Sequence, residues 1–455
     1  MRLMRRPALA WGSAAALAVA VALPAVFWEP LHVDEWVALT VAPRSPGTIV
    51  HDILVGKGGG PVHFLLEHLF LQWPGGIEGL RLPSLVASLA ALPAAGLLAR
   101  RLAGRAESLL LPAVLALAPL AVELSTFGRM YGLFLATYLW ATYAALIAAE
   151  RGFIPFLFAA GALGALVYVH PIAPLYAAPA LVGAGLLARV RARVAVAAAG
   201  AFLLGGLAYW IYAFWRLRER YYVAYPSSKP IRATAGRSVV EDSLFAMSPG
   251  QGLAGTLFAA LAVIGGVALW RRGRAREAVI LAVWIVLPVI FFAFVPAGNA
   301  EAGSARFYPR YLLPALPWFL LLVVIGCLAA RRIIAIALVV LVLGLEANDD
   351  RARLMRLHAL HLQQAVVAVR TLGASAVLEP AGGRAIEGRP AYLLDEFVAL
   401  QVPGVRRSGA GVAVRLVGGP PPFVDRIERG LADDSEARRI SPRLLIVTSV
   451  TAPGT

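Results

Sequence analysis

Eleven apolar runs divide the chain, at about residues 7–28, 80–99, 108–124, 131–149, 153–169, 172–188, 194–215, 252–270, 277–296, 310–330 and 333–347. They constrain its fold more than any other feature. A backbone amide or carbonyl left unpartnered in hydrocarbon costs several kcal/mol, so a stretch of roughly 17 to 25 apolar residues crosses a bilayer as a helix that satisfies its own groups. Composition agrees: 60% of the 455 residues are apolar and 15% charged, against about 45–50% and about 25% in soluble domains. The sequence therefore predicts an all-α polytopic membrane protein of about eleven transmembrane helices. The first run follows Arg2, Arg5 and Arg6, as a signal peptide would. It exceeds the roughly 7 to 15 residues of a signal-peptide core and reads as a retained anchor.

The net charge of +16 is spread in clusters between the runs and forms no continuous stripe, so it reads as a topology signal and not as a nucleic-acid surface. Pro61–Trp73 is the ambiguous segment, short and interrupted by His63, Glu67 and His68. Counted as a span it inverts every later loop and breaks the positive-inside rule repeatedly. Taken as an interfacial juxtamembrane helix, it leaves Arg100, Arg101 and Arg105, Arg151, Arg189, Arg191 and Arg193, Arg271, Arg272, Arg274 and Arg276, and Arg331 and Arg332 on the cytoplasmic side. The loop 29–79, the 125–130 turn, His170, the loops 216–250 and 296–309 and the tail then lie outside, which places a multi-pass protein in the cell membrane with an extracytoplasmic chemical face. Residues 1–347 form the membrane domain. Residues 348–455 lose the apolar runs, show an amphipathic pattern over 350–371 and short strand patterns at 374–378 and 444–450, and predict a small extracytoplasmic α/β domain.

Cys327, the single cysteine, lies inside a run, which excludes a disulfide framework and a multi-thiolate metal centre. Gly56-Lys57-Gly58-Gly59-Gly60 is glycine-rich but lacks the spacing and hydroxyl of a phosphate-binding loop, which argues against an ATP-driven pump.

Asp34-Glu35 stands just beyond the first span. Two adjacent carboxylates at a membrane edge repel each other and are partly desolvated, a setting for a general base or a cation ligand; the other reading is a solvated acidic loop start. Arg129 lies on the outer side against the charge trend, two residues before Tyr131, and its planar fork suits a phosphate or carboxylate, or else snorkels to headgroups. Arg216, Arg218, Arg220, Lys229, Arg232 and Arg237 are interleaved with Tyr221, Tyr222 and Tyr225, which points to an anionic headgroup such as a lipid-linked phosphate, or to ordinary anionic lipid. His63 and Glu67, spaced i, i+4, share a helix face and form either a hydrogen-bonded pair or, with His68, a cation site. His170 at a span's outer end is a polar cap or part of an acceptor or cation site.

Taken in order, these features resemble the glycosyltransferase family 39 type of membrane sugar transferase, the GT-C group that includes protein O-mannosyltransferases and the lipid A aminoarabinose transferase. The matching pieces span residues 1–345. They are Asp34-Glu35 after the first span, Gly60-Pro61-Val-His63-Phe-Leu-Leu, Gly79-Leu-Arg81-Leu-Pro83-Ser84, Arg129-Met-Tyr131-Gly-Leu and Arg310-Tyr311-Leu-Leu-Pro314-Ala-Leu-Pro317. The family's proline pair before the juxtamembrane helix is here Gly60-Pro61. The resemblance implies inverting transfer of a sugar from a polyprenyl-phosphate carrier to an acceptor hydroxyl of a lipid, glycan or protein at the outer leaflet. On that analogy Asp34 deprotonates the acceptor, Glu35 positions the acceptor or a divalent cation, and Arg129, Arg310 and the loop cations neutralise the departing phosphate. The competing class is a non-enzymatic transporter or flippase of lipid-linked sugars, which would carry ionisable groups in the middle of its spans.

Overall fold

The computed structural model describes residues 2–451 apart from 58–59, 74, 212–242, 245, 250–251, 295–308, 359, 373–375, 379–381, 384–393, 403–404, 406–410, 419–423, 425–426, 429–434 and 442–443. Arg216, Arg218, Arg220, Lys229, Arg232 and Arg237 lie outside the described residues. The helices are α1 (Arg2–Trp28), α2 (Val33–Val41), α3 (Pro46–His51), α4 (Pro61–Gln72), α5 (Gly76–Leu102), α6 (Arg105–Leu117), α7 (Pro119–Ser125), α8 (Tyr131–Arg151), α9 (Phe153–Ala165), α10 (Ala173–Ala188) and α11 (Ala192–Gly205). After them come α12 (Leu253–Arg271), α13 (Ala275–Phe294), α14 (Leu316–Leu328), α15 (Arg332–His358), α16 (Leu362–Leu372) and α17 (Leu394–Gln401).

Each of the eleven apolar runs contains a helix, but the helices differ in reach. Among the described residues, α1, α5, α8, α12 and α13 are long and apolar enough to cross a membrane, and α6 with α7 makes a sixth crossing if the 63° bend between them is one broken span. Pro119 causes that break: it offers no N–H to the preceding turn, and Ala118 before it is extended (φ −64°, ψ 121°). α9 with its 3-10 extension, α10, α11 and α14 are apolar but shorter. The apolar helices and their arrangement make this a multi-pass membrane protein. Where α12 crosses α14 the backbones touch, because Gly265 and Gly326 have no Cβ; one added at either would collide with the carbonyl of Leu322 or Leu261.

Pro61–Gln72 folds as a 12-residue helix with Pro61, His63, Phe64 and Glu67 buried. The basic clusters meet at one end of the bundle: Arg101 pairs with Glu150, Arg272 with Glu107 at 2.9 Å, and Arg274 reaches the Arg101 carbonyl at 3.5 Å.

At the opposite end sits a five-stranded sheet of β1 (Ala376–Leu378), β2 (Gly382–Gly383), β3 (Gly411–Gly418), β4 (Ser435–Ser441) and β5 (Leu444–Thr451). The strand order is β1-β3-β5-β4, with β2 also pairing β3. β1 and β2 run parallel to β3, and β5 runs antiparallel to β3 and β4, with Val414 opposite Thr448. A boundary at residue 348 falls inside α15, which runs on to His358. The sheet does not keep a core to itself either. Leu378, Val414 and Ile446, with Val366 of α16 and Phe397 of α17, join one cluster with Ala25, Leu31, Ala38, Ile53, Phe64 and Leu80 from α1 to α5. That shared core holds the 29–79 segment against the bundle.

Candidate active site

The site grows from the turn between α1 and α2. His32 caps α2: its Nδ1 accepts the Asp34 N–H at 3.0 Å, and its own N–H donates to Glu35 at 2.9 Å. The arrangement is a capping box with histidine in place of the usual serine or threonine. Both carboxylates sit in the first turn of α2, where the unpaired N–H groups and the helix dipole favour negative charge. Adjacent helical positions point about 100° apart, so the two acids part company.

Glu35 turns inward and is fully buried. Its Oε1 accepts from Arg81 Nε at 2.8 Å and from the Gly128 N–H at 2.9 Å; its Oε2 accepts from Arg81 Nη2 and the His32 N–H, each at 2.9 Å. Arg81, equally buried, spends Nη1 on the carbonyls of Val26 and Glu29, both at 2.8 Å, and Nη2 also on Pro30 at 3.2 Å. Those carbonyls belong to the end of α1, where a helix leaves acceptors unpaired. One bidentate ion pair thus ties the end of α1, the start of α2, α5 and the turn before α8 into a fixed frame. Both Glu35 oxygens are thus taken by buried donors, so the geometry gives this carboxylate the part of a positioning group that holds the frame.

Asp34 faces the other way, with a quarter of its side chain exposed. Its Oδ2 pairs with Arg310 Nη1 at 2.7 Å, and among the described residues Oδ1 has no hydrogen-bond partner. Arg129 donates to the Asp34 carbonyl at 3.2 Å and lies over the Phe64 ring at 5.1 Å. It has no carboxylate partner among the described residues, and its buried Nε is unsatisfied. Ser84 fixes the Arg129 backbone by donating to its carbonyl at 2.7 Å. Arg310 lies over Tyr131 and Tyr311, at 5.7 and 5.8 Å. The structure therefore brings together Asp34, Arg129, Tyr131 and Arg310 from three separate chain segments, with two cations around one accessible carboxylate.

His170 closes the apolar side. Its ring stacks on Phe134 at 5.1 Å and lies 5.5 Å from Tyr131 and 6.0 Å from Tyr311. Burial, then the nearby Arg129 and Arg310 charges, pull its pKa down to about 3. Nδ1 accepts the Ile172 N–H at 3.1 Å, so the neutral ring carries its proton on Nε2. A ring in that tautomer donates to an acceptor group and does not ligate a cation. His63 Nε2 and Glu67 Oε1 are 2.9 Å apart, both buried, and His63 Nδ1 and Glu67 Oε2 have no partner among the described residues. No group of three metal-ligating side chains forms among the described residues.

Sequence reasoning did not assign Arg81, Glu29 or Arg353 to the site. Glu29 accepts from Arg353 of α15 at 2.7 Å and from Thr126 at 3.4 Å, which links the α1 end to the chain leading into the sheet. The Arg81-Leu-Pro-Ser84 motif was the available signal for Arg81. Nothing in the sequence pairs Glu29 with a residue more than three hundred positions away.

No family model matches this chain, and no curated protein matches it by sequence. Solved structures do match in fold. ArnT from Cupriavidus metallidurans in the apo state superposes with a TM-score of 0.56 at 12% identity, over 96% of this chain and 97% of that one. ArnT from Cupriavidus metallidurans bound to undecaprenyl phosphate gives 0.53 at 13% identity, over 97% and 98%. The chain thus shares the fold of these ArnT structures, with apolar helices followed by a small C-terminal sheet.

Proposed function

We propose that the protein is a membrane glycosyltransferase that transfers a sugar from a polyprenyl-phosphate carrier to an acceptor hydroxyl, with inversion, at the extracytoplasmic face. The observation that carries this reading is the placement of Asp34, with Oδ1 unpartnered among the described residues, between Arg129 and Arg310. A fold shared with a protein solved with undecaprenyl phosphate supports the carrier.

The chemistry follows from the charges. The acceptor oxygen forms a bond to the anomeric carbon as the bond from that carbon to the phosphate oxygen breaks, and the hydroxyl proton passes to Asp34. The carrier leaves as polyprenyl phosphate with one more negative charge than it brought. Arg129 and Arg310 stabilise that charge where it develops, and a site fixed in advance does so without reorganisation. Arg310 exchanges its Asp34 contact for the phosphate when donor binds, which frees the carboxylate to act as a base. The His170 Nε2–H donates to a sugar or acceptor oxygen; Arg216, Arg218, Arg220 and Lys229, which lie outside the described residues, are proposed from their charge alone to add to donor headgroup binding. The ionisable groups of the Asp34 site lie at span ends and not in the middle of the spans, which favours surface chemistry over a transport path.

The test is transfer from radiolabelled polyprenyl-phosphate sugars by the purified protein in liposomes. Asp34→Asn keeps the size and hydrogen-bonding capacity but removes the base, so turnover falls by about 10² to 10⁴ with the thermal unfolding midpoint unchanged. A folded Asp34→Asn protein that turns over at the wild-type rate refutes the mechanism.

A further inference from the structure

A groove runs along the lipid-facing side of α10 and α13. Its outer part, about 520 Å³, is walled by Pro174, Val182, Val283 and Leu287 with Trp284 as its floor. Its inner part, about 540 Å³, is lined by Trp270, Arg189 and Arg276. Leu186, Val279 and Ile280 line both parts, so the two are continuous.

The floor is built. Trp284 donates to the Pro179 carbonyl at 2.9 Å and packs on Trp318 at 4.6 Å between ring centres. It lies against α10 only because Gly183 has no side chain; a Cβ there would come within 2.7 Å of the indole.

One end of this groove is positive. Arg189 and Arg276 are exposed and have no side-chain partner among the described residues. At the same end of the bundle Arg272 and Arg101 each hold a carboxylate. Glu277, next to Arg276, does not line the groove. Arg189 also occupies the left-handed position that ends α10 (φ 53°), where glycine is the usual residue, so the chain keeps a cation there against a backbone preference. Trp270, largely exposed beside the two arginines, matches the aromatic belt at headgroup depth. From Arg189 to Pro174 the helical rise gives about 22 Å, longer than the roughly 15 Å occupied by one leaflet's chains.

We infer that this groove is a specific binding site for an anionic phospholipid, its phosphate on Arg189 and Arg276 and an acyl chain along Val279 and Val283. The reasoning is charge complementarity at the mouth and an apolar channel of sufficient length behind it; basic pockets between helices on the arginine-rich face select anionic headgroups. The site is separate from the Asp34 cluster and independent of the transferase reading.

The test uses the full-length protein in detergent, with native mass spectrometry and thermal unfolding read against added dioleoylphosphatidylglycerol or dioleoylphosphatidylcholine. Phosphatidylglycerol is expected to form a one-to-one adduct and raise the unfolding midpoint, with phosphatidylcholine at least tenfold weaker. Arg189→Gln with Arg276→Gln should abolish that preference, while Arg189→Lys with Arg276→Lys keeps it and controls for folding. Val283→Trp, which fills the groove, should weaken the adduct with both arginines in place. Equal retention of the two lipids, or an unchanged preference in the double glutamine variant, overturns the site. So does a Val283→Trp protein that loses undecaprenyl phosphate while still holding phosphatidylglycerol, because the groove would then belong to the carrier's chain.

Discussion

Glu35 and Asp34 are neighbours in sequence and opposites in structure. Glu35 with Arg81 is a buried pair in which every lone pair and N–H that matters is used, and breaking such a pair leaves a charge alone in low dielectric. Glu35→Gln should therefore cost about 3 to 5 kcal/mol of stability, and Arg81→Gln a similar amount, read as a lower unfolding midpoint and poor insertion. The acidic pair itself was legible as a candidate site. The split in roles was not, because it depends on which helical face each residue takes and on an arginine from a different helix. His170 gives a second residue-scale expectation. Held neutral down to about pH 3, against about 6.5 when unfolded, it contributes stability that is complete above about pH 6.5 and is lost as the pH falls towards 3, because only the unfolded chain gains the proton in that window. Nitrogen-15 NMR of labelled histidine should show an imidazole that does not titrate between pH 5 and 8, and His170→Gln should lessen the acid sensitivity of unfolding. An imidazole titrating near 6.5 would contradict the burial argument.

Elements were easier to read than their ends. The apolar periodicity located a helix in every run, but α9, α10 and α14 are shorter than the runs that contain them, and α11 starts two residues before its run. Local chemistry sets the limits: Arg189 turns left-handed after α10, a 3-10 turn at Pro309–Leu312 precedes α14, and Pro119 bends α6 into α7. Which glycines matter was hidden in a composition rich in them. Gly326 and Gly266 lie on helices in contact, yet a Cβ on Gly326 meets the Leu261 carbonyl and one on Gly266 meets nothing. Gly326→Val should separate α12 from α14 and destabilise by about 1 to 3 kcal/mol or more. Gly266→Ala should be neutral or stabilise by up to about 1 kcal/mol through helix propensity. Thermal unfolding of the two variants side by side checks this, and equal midpoints would mean that the close approach carries no energy.

For the whole molecule, the sequence announced a membrane domain and a smaller tail, but not that they share a core. That union rests on contacts across the full chain, such as Gln363 donating to the Phe27 carbonyl at 2.7 Å and Arg353 to Glu29 at 2.7 Å. It has a topological consequence. The C-terminal sheet and the Asp34 turn must lie on one side, while Arg101, Arg272 and Arg274 assemble at the other end of the bundle. Short basic loops remain on the cytoplasmic side, so the shared face is expected to be extracytoplasmic. Gln364 on α16 is exposed, and the native Cys327 is buried, so Gln364→Cys offers one reactive thiol. A membrane-impermeant maleimide should label it in intact cells as fully as after lysis, and a cysteine at exposed Trp36 on α2 should behave the same way. A cysteine at Arg274, in the opposite cluster, should react only after permeabilisation. Labelling of Gln364→Cys confined to lysed cells would reverse the orientation and move the proposed chemistry to the cytoplasmic leaflet. Opposite behaviour of the positions 36 and 364 would break the shared core itself.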